Sequence, residues 1–317
     1  MRRLRSRRLT QVTLALVLAV GVAACGGGTG SGEAGRLSGT IRVDGSSTVA
    51  PLSEAAAERF MEENNLVRIT VGTSGTGGGF EKFCNGETDI SDASRPIKQS
   101  EEEACAAKGI RYEQLTVAND GLAVVVHPQN TWVRCLTVDQ LKQVWGPGSN
   151  VSNWRDIDPS FPDERIALFG AGTDSGTFDY FTEAVNGEEG ASRTDYTASE
   201  DDNVTVSGVA GTEGALGYLG LSYVEENEGR IKAVAIDGGS GCVEPSTQTV
   251  QDNTYKPLGR PLFIYPKADA LERPEVQEFV RSYIENAEQI AADARFVPMT
   301  EAQKQQSLSL MQSLLTS

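Results

Sequence analysis

Thr40-Ile-Arg-Val-Asp-Gly-Ser-Ser-Thr-Val-Ala-Pro51 is the stretch on which the reading of this chain turns. Thr40 to Val43 reads as a short strand and Gly45-Ser-Ser-Thr48 as a turn; Val49, Leu52, Ala56 and Phe60 then recur at helical spacing. The pattern of a strand emptying through glycine and hydroxyl residues into a helix returns further on. Val67 to Val71 leads into Gly72-Thr-Ser-Gly-Thr-Gly-Gly-Gly79 and a short helix through Phe83. Ile166 to Phe169 leads into Gly170-Ala-Gly-Thr-Asp-Ser-Gly-Thr177 and an aromatic helix carrying Phe178, Phe181 and Val185. Leu115 to Val126 contains an apolar run suited to a buried strand, and Pro261-Leu-Phe-Ile-Tyr265 is another strand. Ser100-x-x-Glu103, Thr137-x-x-Gln140 and Thr300-x-x-Gln303 are capping-box patterns, and Pro274 stands at a helix start. Strands alternating with helices predict an α/β fold with mainly parallel sheets.

Such loops are suited to collecting anions. The first turn of a helix presents unpaired N–H groups at the positive end of the helix dipole, and glycine lets the backbone approach closely. Serine and threonine hydroxyls add donors without charge. The same residues also cap helices with no ligand at all, so a single loop of this kind says little. None of the loops is a nucleotide P-loop, because Gly-x-x-x-x-Gly-Lys-Ser/Thr does not occur. Gly-x-Ser-x-Gly is absent too, which weakens a hydrolase reading.

The 317 residues carry 28 Lys+Arg against 44 Asp+Glu, a formal charge of −16, which argues against a nucleic-acid partner. The solitary His127 precedes Pro128, so neither a histidine triad nor a multi-histidine metal site is expected. Arg2, Arg3, Arg5, Arg7 and Arg8 open the chain, and a mostly apolar stretch runs from Leu9 to Ala24. With these flanks, residues 1–24 read as a signal peptide rather than a membrane span. Val22-Ala-Ala-Cys25 resembles the lipobox of bacterial lipoproteins, which implies cleavage before Cys25 and a lipid on its sulfur. Residues 25–37 then form a flexible, glycine-rich tether. Four cysteines remain, Cys84, Cys105, Cys135 and Cys242, an even number suited to an oxidising compartment and compatible with three pairings.

Asp44-Gly-Ser-Ser-Thr-Val-Ala-Pro51, Gly72-Thr-Ser-Gly-Thr-Gly-Gly-Gly-Phe80 and Asp89-Ile-Ser-Asp-Ala-Ser-Arg-Pro96 stand in that order along the chain. Asp120-Gly121, Gly172-Thr-Asp-Ser-Gly-Thr-Phe178 and Gly214-Ala-Leu-Gly-Tyr218 extend the series. In these motifs and their order the chain resembles the PstS family, the phosphate-specific substrate-binding proteins of bacterial ABC transporters, and most of all its cyanobacterial and actinobacterial branch. The resemblance implies a two-lobed, type II periplasmic-binding-protein fold with phosphate in the inter-lobe cleft. One lobe would comprise about 38–121 plus 263–317, the other about 122–262. Pairing Cys84 with Cys105 and Cys135 with Cys242 then keeps each disulfide inside one lobe. The implied phosphate ligands are Ser47 and Thr48, Ser74 or Thr76, and Ser94 with Arg95 from the first lobe. The second lobe would supply Ser175, Gly176 and Thr177.

The resemblance also implies a non-catalytic, monomeric receptor without cofactor or metal. It would be anchored by lipid to the outer face of the cytoplasmic membrane and hand phosphate to a permease. Two departures stand out. Ser94 occupies the place of an aspartate that accepts the phosphate proton in proteobacterial relatives, and Ala171 occupies about the place of an arginine. Arg95 is the expected replacement cation, and Asp174 or Asp120 the expected acceptor. The competing readings are a receptor for another oxyanion such as sulfate or molybdate, a phosphate sensor, and a secreted hydrolase with Ser175 as nucleophile.

Overall fold

The strand, turn and helix at residue 40 are β1 (Ser38–Gly45) and α1 (Ala50–Glu63) in the computed structural model, which describes residues 36–173 and 175–316. Residues 1–24, Cys25, most of the tether, and Asp174 lie outside the described residues. The helical periodicity is the buried face: Val49, Leu52, Ala56 and Phe60 all pack into the core. β1 pairs in parallel with β2 (Leu66–Gly72) and with β3 (Ile90–Ala93). α2 (Gly75–Cys84) and α3 (Gln99–Ala107) follow β2 and β3. α3 starts one residue before Ser100, and Glu101 rather than Glu103 turns back to accept the Lys98 N–H at 2.8 Å. The boxes at Thr137 and Thr300 form as expected, each residue exchanging hydrogen bonds with the glutamine three positions on.

β4 (Leu115–Val126) leaves this sheet for a second one. After it come β5 (Cys135–Thr137), α4 (Val138–Trp145), α5 (Trp154–Ile157), β6 (Ala167–Ala171) and α6 (Gly176–Asn186). β7 (Thr197–Ser199), α7 (Asp202–Ala210), β8 (Ala215–Gly220), β9 (Lys232–Asp237) and β10 (Cys242–Val243) complete the second lobe. β11 (Gly259–Pro266) returns to the first. The strand order is β2-β1-β3-β11-β4-β8-β6-β7, with β9 on β4, β5 and β10.

Antiparallel ladders match the parallel ones in number, against the expectation of mainly parallel sheets. The physical reason is the crossover. β4 runs out of the first lobe and β11 runs back, so the two pair antiparallel with each other and with the strands they join. β4 meets β11 through residues 115–121 and then β8 and β9 through residues 122–126.

The hydrophobic core divides accordingly. One cluster holds Ile41, Leu52, Phe60, Leu115, Leu262, Phe279 and Met311; another holds Leu122, Trp145, Trp154, Phe181, Tyr218 and Leu258. A third, around Phe80, Phe83 and Tyr265, contains Cys84 bonded to Cys105, while Cys135 is bonded to Cys242 in the second lobe.

A buried polar cluster fastens α1 to β3 and the helix Pro274–Glu285. Ser53 Oγ donates to Asp92 Oδ1 at 2.9 Å and lies 3.2 Å from the Tyr283 hydroxyl, while Asp92 Oδ2 has no hydrogen-bond partner. Burial pushes the Asp92 carboxyl up to about 7. A carboxyl raised above its unfolded value stabilises the fold in its protonated form. That stability is present at acidic pH and is lost as pH rises through about 7. The unfolding free energy is therefore expected to fall as pH rises from about 4 to about 7 and to level off above that, and Asp92→Asn to remove that limb, as followed by urea titration at each pH.

Candidate functional site in the inter-lobe cleft

The turn before α1 and the start of α6 face each other across the cleft. No side chain caps α1, which leaves the Ser47 and Thr48 hydroxyls available for other partners. Thr48 Oγ1 donates to the Gly176 carbonyl at 3.2 Å, and Ser47 Oγ donates to Asp179 Oδ2 at 2.9 Å. Both bonds tie the first lobe to the first turn of α6. Gly176 permits the approach, because a Cβ there would lie 2.8 Å from the Thr48 Cα. Ser175 caps α6, accepting the Thr177 N–H at 3.1 Å. From α2 and the end of β3, Thr76 Oγ1 lies 3.0 Å from Ser94 Oγ and accepts the Ser94 N–H at 3.3 Å.

Ser47, Thr48, Thr76 and Ser94 line a tight cavity of about 10 Å³, on the order of one water. A larger cavity, about 200 Å³, adjoins it through Ser47 and Thr48 and is lined by Asp120, Ser175, Gly176 and Thr177. The hydroxyls and helix starts of both lobes thus gather at one place, within a fold whose crossing strands are buried.

The charges around them are few and confined. Asp179, Glu183 and Glu189 stand in the wall of the tight cavity together with Arg260. Burial raises Asp179 above the usual carboxylate range, with the Ser47 bond and Arg260 opposing it. Burial pushes Asp120 up to about 6 against the pull of Arg260, whose Nε is 3.7 Å from Asp120 Oδ2. Asp202 is also pushed up to about 6, by burial and by the neighbouring Asp201, and lines the larger cavity. Arg260 sits opposite Asp120 in the β11–β4 register. Its guanidinium carbon is 3.3 Å from the centre of the Tyr180 ring.

Most of the residues proposed from sequence come together here: Ser47, Thr48, Thr76, Ser94, Asp120, Ser175, Gly176 and Thr177. Two do not. Ser74 turns its hydroxyl onto Asp44 Oδ1, and Lys82 Nζ pairs with the other Asp44 oxygen at 2.7 Å. Between Ser74 and Thr76 it is therefore Thr76 that faces the cleft. Arg95, the expected cation, is bound by Glu101 instead, with both guanidinium ends 2.8 Å from its carboxylate oxygens. The same glutamate accepts the Lys98 N–H at the start of α3, so local helix chemistry holds Arg95 outside the cleft wall. Asp174 is outside the described residues.

Sequence reading passed over Arg260, Asp179 and Tyr180. The sequence pattern opens the strand at Pro261, whereas β11 begins at Gly259 and includes the arginine. A charge at the mouth of an otherwise apolar strand was the signal available.

Two α/β lobes joined by crossing strands, with opposed hydroxyl-rich helix starts, define a cleft-type binding protein. The comparisons narrow the class. A family model described as the PBP superfamily domain matches residues 30–285. Protein SphX of Synechococcus elongatus is 47% identical over 270 residues, covering 84% of this chain and 80% of that protein. The phosphate-binding protein PstS of Staphylococcus saprophyticus is 38% identical over 299 residues, 93% of this chain and 92% of that protein. The crystal structure of a possible phosphate binding protein from Planctomyces limnophilus is 47% identical with a TM-score of 0.85, over 88% of this chain and 99% of that chain. The chain belongs to the PBP superfamily and, within it, to the PstS family of phosphate-binding proteins.

Gly176→Ala places a methyl group against the Thr48 backbone and should hold the lobes apart. At least a tenfold loss of anion affinity by calorimetry is expected, with a ligand-free melting temperature within a few degrees of the parent.

Proposed function

We propose that this chain binds inorganic phosphate in the inter-lobe cleft, closes on it, and delivers it to the permease of an ABC transporter. The observation that carries the reading is the direct meeting of Ser47 and Thr48 with the first turn of α6. An anion placed there touches both lobes at once, so its binding energy favours the closed arrangement. Neutral hydroxyls and helix N-termini supply most of the donors, which suits a small oxyanion. The names of the relatives, phosphate-binding protein PstS among them, support the same ligand.

A catalytic reading has less behind it. The Ser175 hydroxyl is engaged as the cap of α6, and the chain's one histidine accepts the Gln129 N–H in a distant turn. The protein acts as a receptor rather than an enzyme.

Asp120 is our assignment for the acceptor that tells phosphate from sulfate. Its carboxylate lines the cavity shared with Ser47, Thr48 and Gly176. Hydrogen phosphate can donate to it, whereas sulfate brings only acceptors and would leave two of them opposed. Burial holds Asp120 near 6, so at pH 8 it is ionised and sulfate is rejected. As pH falls the neutral acid becomes a donor that sulfate can use. Sulfate affinity is expected to climb about tenfold per pH unit from 8 towards 6 and level off below. Calorimetry of both anions across this range tests it. Asp120→Asn should bind sulfate at pH 8 and bind phosphate at least tenfold more weakly. Equal affinities of the parent protein for the two anions at pH 8 would instead favour a general oxyanion receptor.

For location, we propose that Cys25 carries a lipid after removal of residues 1–24, holding the protein at the outer face of the cytoplasmic membrane as a monomer. Among the described residues no helix is long and apolar enough to cross a membrane, so attachment would rest on this anchor. Cys25→Ser is expected to move the protein from the membrane fraction into the soluble extracytoplasmic fraction. Loss of phosphate uptake on deleting the gene would separate delivery from sensing.

A further inference from the structure

Three arginines with largely buried side chains differ in how their donors are satisfied. Arg95 holds Glu101 through two bonds of 2.8 Å and donates a third, 3.1 Å, to the Pro96 carbonyl. Arg193 pairs with Asp195 at 2.7 and 2.8 Å and donates to the carbonyls of Val144 and Val151 at 3.0 and 2.9 Å. Arg260 is different. Its side chain is 13% exposed, yet among the described residues its one hydrogen bond is a long 3.4 Å contact from Nη2 to Thr48 Oγ1. Asp120 and Glu183 stand 3.7 and 3.6 Å from it, near enough for charge attraction but too far for hydrogen bonds. Its buried Nε has no hydrogen-bond partner among the described residues.

A guanidinium that is buried with most of its five donors unmatched is costly unless an acceptor meets them. Here the arginine lines the tight cavity that Ser47, Thr48, Thr76 and Ser94 also line. The planar group is held in one orientation. Tyr180 lies against its face at 3.3 Å, and the Tyr180 hydroxyl is itself fixed by donating to the Pro257 carbonyl at 2.7 Å. Asp120 faces it from the partner strand of the crossover, and Glu183 from α6.

We propose that Arg260 is the cation of the anion site, donating to an oxygen of bound phosphate from the crossing strand, with Tyr180 and Asp120 fixing its orientation. The inference rests on the phosphate reading above and specifies its charge chemistry. It assigns the role of the arginine missing at Ala171 to the strand between the lobes rather than to a loop of either one. Arg260 therefore stands at the cleft floor whichever lobe an anion meets first. It also offsets the carboxylates in the wall of the tight cavity, Asp179, Glu183 and Glu189. A planar fork is required, since lysine would supply a point charge that neither stacks on Tyr180 nor donates in parallel.

The test is isothermal titration of inorganic phosphate into the parent protein, Arg260→Lys, Arg260→Gln and Arg95→Gln, with ligand-free and phosphate-saturated melting temperatures for each. Arg260→Gln should lose about 10- to 100-fold in affinity and most of the phosphate-induced rise in melting temperature. Arg260→Lys should retain the parent's ligand-free melting temperature and still lose at least about tenfold in affinity, which separates a binding role from a folding role. Phosphate affinity within threefold of the parent in Arg260→Lys, or in a folded Arg260→Gln, overturns the assignment. So does a loss confined to Arg95→Gln. If the parent itself takes up no phosphate, the functional reading falls and this assignment with it; a parent that binds beside unaffected Arg260 variants sinks the arginine alone.

Discussion

The antiparallel pairing of β4 with β11 is the constraint on which the rest of this molecule depends. Each strand belongs to one sheet at one end and to the neighbourhood of the other lobe at the opposite end, so the lobes share backbone hydrogen bonds rather than a flexible linker. Their relative motion must be absorbed where the ladder changes partners, at Asp120, Gly121 and Leu122 on β4 and at Gly259 and Arg260 on β11. This is also where Asp120 and Arg260 sit, both largely buried. A fold that brings α1 and α6 nose to nose across such a crossover offers an anion two helix starts at once, with one arginine beneath them.

That arrangement answers a difficulty posed by the charge of the chain. At −16 overall, with carboxylates in the cleft wall, long-range attraction of a dianion cannot come from net charge. Affinity has to arise at contact distance, from hydroxyls, N–H groups and a guanidinium held in a dry environment where each is stronger than in water. The carboxylates then select rather than repel. On the proposed assignment, an ionised Asp120 would tolerate an oxyanion that brings its own proton and oppose one that does not. The raised values of Asp120 and Asp179 have burial as their first cause, so the closure that would grip the anion also tunes the groups that inspect it.

Arg95 and Arg260 show how far sequence reading reached into the site. Arg95 was singled out because it lies inside a recognisable loop, and the loop does reach the cleft through Ser94. Its guanidinium is nevertheless captured by Glu101, six residues on, a partner set by the start of α3. Arg260 belongs to no motif. It becomes a site residue because antiparallel pairing sets it opposite Asp120 and because α6 lays Tyr180 over it, and its contact with Thr48 spans 212 residues. In the same way Ser74 and Thr76 were equivalent on paper, and only the position of Asp44 decided which hydroxyl was left for the cleft.

What the sequence determined by itself was local: the strand, turn and helix at Thr40, the apolar face of α1, the glutamine boxes at Thr137 and Thr300, and the hydroxyls at the helix starts. These depend on interactions within about one helical turn or along a single strand, so periodicity and turn chemistry are enough to read them. The tertiary structure alone decided which ladders run antiparallel, which arginine lines the cleft, and which carboxylate is buried beside it. Those outcomes follow from strand pairing and burial between segments far apart in the chain, and burial is a property of the packed molecule that no short stretch of residues encodes.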